Sequence, residues 1–107
     1  KQHLEHNMSL KIKSLVTIVT EASLESAICK QLGRLCASGY TITDARGKGS
    51  QGQRGGGWDA DSNIRIEVIC NETVAQAITD FAQSEYFDNF AMVVYSHPVS
   101  VARTNKF

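Results

Sequence analysis

From Leu10 to Thr20 the chain reads Leu-Lys-Ile-Lys-Ser-Leu-Val-Thr-Ile-Val-Thr, alternating at first and then becoming a β-branched apolar run. Alternation marks a strand with one solvated face, and the later continuous run marks its entry into the middle of a sheet. The period then lengthens: Leu24, Ala27, Ile28, Leu32 and Leu35 fall on one stripe of a helix, with Ser23 predicted as its cap and Gly39 as its terminator. A short second strand, Tyr40 to Arg46, puts Tyr40, Ile42 and Asp44 on one side and Thr41, Thr43 and Ala45 on the other, so its faces are weakly distinguished. From Asn63 to Cys70, Ile64, Ile66 and Val68 alternate with Arg65, Glu67 and Ile69, the signature of a half-buried strand. Thr73 is the predicted cap of a second helix carrying Val74, Ala77, Ile78, Phe81 and Ala82 on its apolar stripe. The last strand, Phe90 to Ser96, is predicted to stop at His97-Pro98, because proline cannot donate to a sheet ladder.

The order is therefore βαββαβ, an α+β ferredoxin-like fold: a four-stranded antiparallel sheet with two helices on one face. The helices leave the other face open, and Val16, Ile18, Ile69 and Val94 suggest apolar content on both faces. Burial of the open face against sister subunits is expected. Small domains bury a lower fraction of their surface, which favours the same solution.

Composition narrows the function classes. The 107 residues, 42% hydrophobic and 21% charged, fit one globular domain, taken as residues 8–107. Residues 1–7, Lys-Gln-His-Leu-Glu-His-Asn, read as a leader or a non-native remnant ahead of Met8. The formal net charge of zero argues against a nucleic-acid footprint, so any anion site must be local. No apolar run approaches the roughly 20 residues that span a bilayer, and no membrane insertion is expected. A cytoplasmic location follows as the expectation. Cys29, Cys36 and Cys70 form no CxxC pair and no zinc pattern, so they read as reduced thiols. Cys29 and Cys36 share a flank of the first helix pattern, where a redox pair and simple packing are both open.

The chemistry concentrates between strands two and three, in a long loop at about residues 47–62. Six of the eight glycines lie between Gly47 and Gly57, interspersed with Lys48 and Arg54 and preceded by Arg46. Glycine lets a backbone approach a ligand closely, and the cations favour an anion. Gly47-Lys48-Gly49-Ser50-Gln51-Gly52 satisfies GxGxxG, but the residues that follow cannot open a helix, and Lys48 is not followed by Ser or Thr. Neither a dinucleotide fingerprint nor a Walker loop is present, and a flexible linker without a ligand stays open beside an anion site. His97 lacks an activating partner nearby in sequence and is assigned no chemistry. Glu67 has two readings, an ion pair with Arg65 on its own face or an acceptor for ligand amino or hydroxyl groups. Trp58 is either a hinge anchor or part of a partner surface.

The run Gly39-Tyr-Thr41-Ile-Thr-Asp-Ala-Arg46-Gly47-Lys-Gly49-Ser-Gln51-Gly52 resembles the PII signalling family, whose pattern is Gly-x-Thr-x-Thr-Glu followed by Gly-x-Gly-x-Gln. Ile64-Arg-Ile-Glu67-Val-Ile69 is similar to that family's third strand, and Pro98-Val99 with Arg103-Thr104 resembles its C-terminal loop. The resemblance implies a homotrimer with adenine nucleotides in the clefts between subunits. It places Thr41, Glu67 and Ile69 at the adenine and ribose, and Gly47, Gly49, Ser50 and Gln51 beside the phosphates. Arg46, Lys48 and Arg103 would compensate charge, and Asn89 belongs to the segment that stands in the family's phosphate loop.

Two departures refine the resemblance. The long loop has no tyrosine, so uridylylation is not implied, and Glu85-Tyr-Phe-Asp88-Asn89-Phe90 replaces the family's Gly-Asp-Gly-Lys. The lost lysine counts against ATP and 2-oxoglutarate. The chain more closely resembles the PII-like branch associated with bicarbonate transporters and carboxysomes, although it lacks the Cys-containing tail of some members. That branch implies AMP or ADP as effector, with ATP or cyclic AMP as further candidates and bicarbonate as a second signal. The implied protein partner is a bicarbonate transporter or carboxysome component, the implied role regulatory, and no metal or catalytic residue is assigned. A protein-interaction module without a small ligand, or a small enzyme using His97 or Glu67 as a base, are the alternatives.

Overall fold

The computed structural model describes residues 10–48 and 62–102. The elements are β1 (Lys11–Glu21), a 3₁₀ turn (Ala22–Leu24), α1 (Glu25–Arg34), β2 (Thr41–Ala45), β3 (Asn63–Cys70), α2 (Glu72–Glu85) and β4 (Met92–Val101). All pairings are antiparallel, and the sheet order is β2-β3-β1-β4. This is the α+β arrangement expected from the changes of period.

The core lies between the helices and one face of the sheet. Across that face run Ile42, Ile66, Ile18 and Val94, each opposite the next in the ladder. Ile28 and Leu32 of α1 and Ala75, Ile78 and Ala82 of α2 close over it. Val16, Ile18 and Val94 thus all belong to the covered face, whereas Ile69 alone of the four apolar markers lies on the open one. The open face is nevertheless apolar through Leu15, Val19, Val93 and Tyr95; Val93 is 47% and Tyr95 48% exposed.

Four local expectations are corrected. Ser23 does not cap α1: its hydroxyl donates to the Glu21 carboxylate inside the 3₁₀ turn, and Leu24 holds the cap position without a side-chain bond. Gly39 does not end α1. Instead Cys36 takes φ of 71°, while Ala37 N–H donates to Leu32 carbonyl and Cys36 N–H to Gly33 carbonyl. That is a Schellman closure with cysteine where glycine is usual. Thr73 does not cap α2, because Asn71 precedes it and its Oδ1 accepts from Val74 N–H at 2.9 Å. Finally, β4 continues through Pro98 to Val101. Among the described residues it is an edge strand paired with β1 alone, so a residue lacking an N–H is tolerated there.

Candidate functional site

The open face of the sheet holds the recess that matters. Antiparallel register sets Thr41 opposite Glu67 and Glu67 opposite Thr17, while Ile69 stands opposite Leu15. Strand alternation turns these side chains to the side away from the helices. Leu15, Gly39, Tyr40, Thr41, Glu67 and Ile69 line a recess of about 350 Å³. Its wall combines an apolar pair, Leu15 and Ile69, with a carboxylate and a hydroxyl. Such a surface can pack against a flat heterocycle while accepting a hydrogen bond from its amino or hydroxyl groups.

Of the residues marked in sequence, Thr41, Glu67 and Ile69 are brought together. Leu15, Gly39 and Tyr40 were not marked as site residues; Leu15 lies in a segment read correctly as strand, whereas Gly39 and Tyr40, expected as helix terminator and strand start, fall in the connection between α1 and β2. Leu15 comes from a strand far away in sequence, and the signal that finds it is the β1–β3 register. Glu67 is half-buried, and among the described residues no ion pair joins it to Arg65. Its carboxylate is flanked instead by two threonines, of which Thr17 is 1% exposed although it lies on the open face.

Other marked residues sit elsewhere. Arg46, Gly47 and Lys48 are exposed and leave β2 at its far end, about 16 Å along the strand direction from Thr41. The backbone of Gly47 lies outside the left-handed region, and an added Cβ would meet nothing within 4 Å, so the local fold itself does not demand glycine there. Asn89 is exposed in the turn after α2, where its N–H donates to Tyr86 carbonyl. That turn is held by edge-to-face contacts of Tyr86 with Phe81 and with Phe90, ring centres 5.5 Å apart in both cases. It leads into β4, the edge opposite β2, so about three strand spacings, roughly 14 Å, separate it from the β2 edge. Gly49, Ser50, Gln51, Arg54, Trp58 and Arg103, with most of the 47–62 loop and residues 1–7, lie outside the described residues.

Two ionisable groups near these features carry shifted pKa values. The Tyr40 phenol is raised, first by its hydrogen bond to the Cys29 side chain, then by the charge of Cys29, by burial and by Glu25. Burial raises the Tyr86 phenol, and Glu85 adds to it. His97 lies on the open face opposite Leu15, exposed, with Nδ1 3.2 Å from the Pro98 carbonyl oxygen. Among the described residues, no group of three His, Cys, Asp or Glu side chains could hold a metal ion, and no helix is long and apolar enough to cross a membrane.

Comparison with known proteins agrees with this fold. The fold is similar to that of a PII-like signalling protein from Thermus thermophilus, with 42% identity, 92% of this chain and 97% of that chain covered, and a TM-score of 0.78. It is also similar to CPII from Thiomonas intermedia. The CPII structure bound to ADP and bicarbonate is 28% identical, covers 92% of this chain and 96% of its own, and has a TM-score of 0.78. The CPII structure bound to ADP, AMP and acetate is 25% identical over the same shares, with the same TM-score. The sequence profile described as nitrogen regulatory protein P-II matches residues 13–106, nearly the whole chain, and the chain belongs to that family.

Proposed function

We propose that this protein is a PII-like sensor that binds AMP or ADP in clefts between the subunits of a homotrimer. It would respond to bicarbonate and signal through residues 47–62 to a protein of inorganic-carbon uptake or of the carboxysome. The observation that carries this reading is the convergence of Thr41, Glu67 and Ile69 with Leu15 in one recess on the open face. Leu15 and Ile69 would sandwich the adenine edge, and Glu67 and Thr41 would meet amino and ribose hydroxyl groups. The binding of ADP and bicarbonate by CPII supports the choice of ligands.

Distances explain why the cleft would need two subunits. Within one chain the recess, the start of the glycine loop and the Asn89 turn occupy different ends and edges of the sheet. A neighbour packed on the open face would cover Val93 and Tyr95 and bring its own segments to the recess. Arg46, Lys48 and Arg103 would then balance phosphate charge, with Gly47, Gly49, Ser50 and Gln51 supplying backbone and side-chain donors. A nucleotide that favours one loop arrangement shifts the population toward it, and the partner protein reads that shift. The reading is regulatory and needs no catalytic residue.

The test is calorimetric titration of the protein with AMP, ADP, ATP and cyclic AMP, each with and without bicarbonate. Micromolar binding of AMP or ADP is expected, altered by bicarbonate. Glu67→Gln should weaken it about tenfold or more, since a hydrogen bond to a charged acceptor contributes roughly 1.5–3 kcal/mol. No binding by a folded trimer would refute the reading and leave a protein-interaction module.

A further inference from the structure

Read along β2 and β3, successive rows of the open face change character in order. Ile69 with Leu15 forms an apolar row. Next come Thr41, Glu67 and Thr17, hydroxyls on either side of a carboxylate. Then come Thr43, Arg65 and Val19, with a guanidinium at the centre. Alternation puts all of these side chains on the face away from the helices, and each row lies two residues, about 7 Å, beyond the last. The recess takes its lining from the first two rows, with Gly39 and Tyr40 beside the apolar one. Arg65 therefore stands just past its polar end.

Arg65 is exposed and makes no hydrogen bond or ion pair with any described residue. Glu67 lies two residues away on the same face, yet the two charges are not paired. Carboxylate and guanidinium are thus left to meet different parts of one molecule. Lys13 also lies on the open face, two residues before Leu15, on the far side of the apolar row from Thr41 and Glu67. Arg46 and Lys48 follow the end of β2, farther along the strand direction than Arg65. Arg65 is the described cation that continues the sequence of rows from apolar to hydrogen-bonding to charged.

An adenosine phosphate has the same order: a flat base, a sugar bearing hydroxyls, then the first phosphate. We propose that Arg65 grips the α-phosphate of a nucleotide that lies with its base on Leu15 and Ile69 and runs past Glu67 toward Thr43. The inference rests on the nucleotide reading above and adds to it a direction and a residue of the same subunit. Arginine suits the role, because its planar fork meets two phosphate oxygens at once. Arg46 and Lys48 then serve phosphates beyond the first, so Arg65 contributes equally to AMP and ADP.

Calorimetric titration of the full chain with adenosine, AMP and ADP tests this. Arg65→Gln removes the charge and keeps a polar side chain. It should weaken AMP and ADP by the same factor, about tenfold or more, as expected for losing a hydrogen bond between charged groups, and leave adenosine unchanged. Arg65→Lys keeps the charge without the fork and should recover part of the loss. Lys13→Gln should bind all three ligands as the unaltered chain does. Adenosine weakened as much as AMP in Arg65→Gln would mean a structural role, and unchanged AMP affinity in that variant would mean no contact; either result overturns the proposal. Loss of AMP affinity in Lys13→Gln alone would reverse the direction of the ligand and overturn it as well. In each of these cases the unaltered chain binds and the nucleotide reading stands. Silence of the unaltered chain toward AMP and ADP removes that reading and the proposal together.

Discussion

On the covered face of the sheet the cross-strand row Ile42, Ile66, Ile18 and Val94 is apolar from edge to edge; the adjacent open-face row reads Thr41, Glu67, Thr17 and Tyr95. The two rows use the same four strands, one residue apart. The first is closed by helices of its own chain and completes a core. The second mixes hydroxyls, a carboxylate and an exposed aromatic ring, so it is only partly satisfied by its own chain. The difference teaches that the core and the proposed binding surface are separated by strand parity. Substitutions on one face should read out as unfolding, and those on the other as lost assembly or binding.

The sharpest test of that division is a pair of truncations. Ile66→Ala removes a fully buried side chain, and a cost of about 2–5 kcal/mol in urea unfolding is expected. Val93→Ala, on the open face, should cost less than about 1 kcal/mol when unfolding is measured on dissociated subunits, because nearly half of its surface is already exposed. Equal costs would break the comparison. A charge on the open face sharpens it further: Val93→Asp should convert the proposed trimer to monomer in sedimentation while leaving the circular dichroism spectrum intact. Retention of the trimer would show that subunits meet elsewhere.

The covered face was legible because its information is periodic. Ile64, Ile66 and Val68 announce a strand, and Ile78 with Ala82 a helix stripe, whichever residues surround them. Element ends depend on single contacts, and there the reading slipped. Asn71 and Thr73 are both good capping types two positions apart, and only the backbone path decides between them. Ser23 was drawn into a 3₁₀ turn, and Cys36 took a conformation that sequence rules reserve for glycine. On the open face, Thr41, Glu67 and Ile69 were visible through a family pattern. Leu15 was not, since nothing in its own neighbourhood shows that it faces Ile69; pairing between distant strands creates that contact. Thr17 was missed likewise, a polar residue 1% exposed on the face away from the helices, between Glu67 and Tyr95 in the ladder.

A smaller effect tests the lid over the covered face. Asn71→Ala should cost about 1 kcal/mol, because its side chain satisfies an otherwise orphaned N–H at the start of α2. Thr73→Ala, at the position predicted from sequence, should change stability by less than about 0.5 kcal/mol, as expected for an exposed side chain with no capping role. The reverse order would return the cap to Thr73.

The smallest expected effect separates the neighbours Ile69 and Cys70, which share a strand and face opposite ways. Cys70 ends the covered row and is 4% exposed, and burial raises its thiol above the ordinary value of 9.0, with Lys13 pulling weakly the other way. The neutral thiol is therefore the form that the fold accepts. Below pH 9 both folded and unfolded chains keep the proton, and the contribution to stability is fully present. As the pH rises past that value the unfolded chain releases its proton first, and the contribution is lost progressively up to the raised pKa of the folded state. Unfolding free energy should thus fall as the pH rises past 9.0, and part of that fall should vanish in Cys70→Ala, whatever constant cost the smaller side chain brings. The raised phenols of Tyr40 and Tyr86 act in the same direction at higher pH, above the ordinary value of 10.0. An unchanged slope in Cys70→Ala would mean that the thiol reaches water, and that the covered face opens at the end of β3 where the comparison of the two rows requires it to be closed.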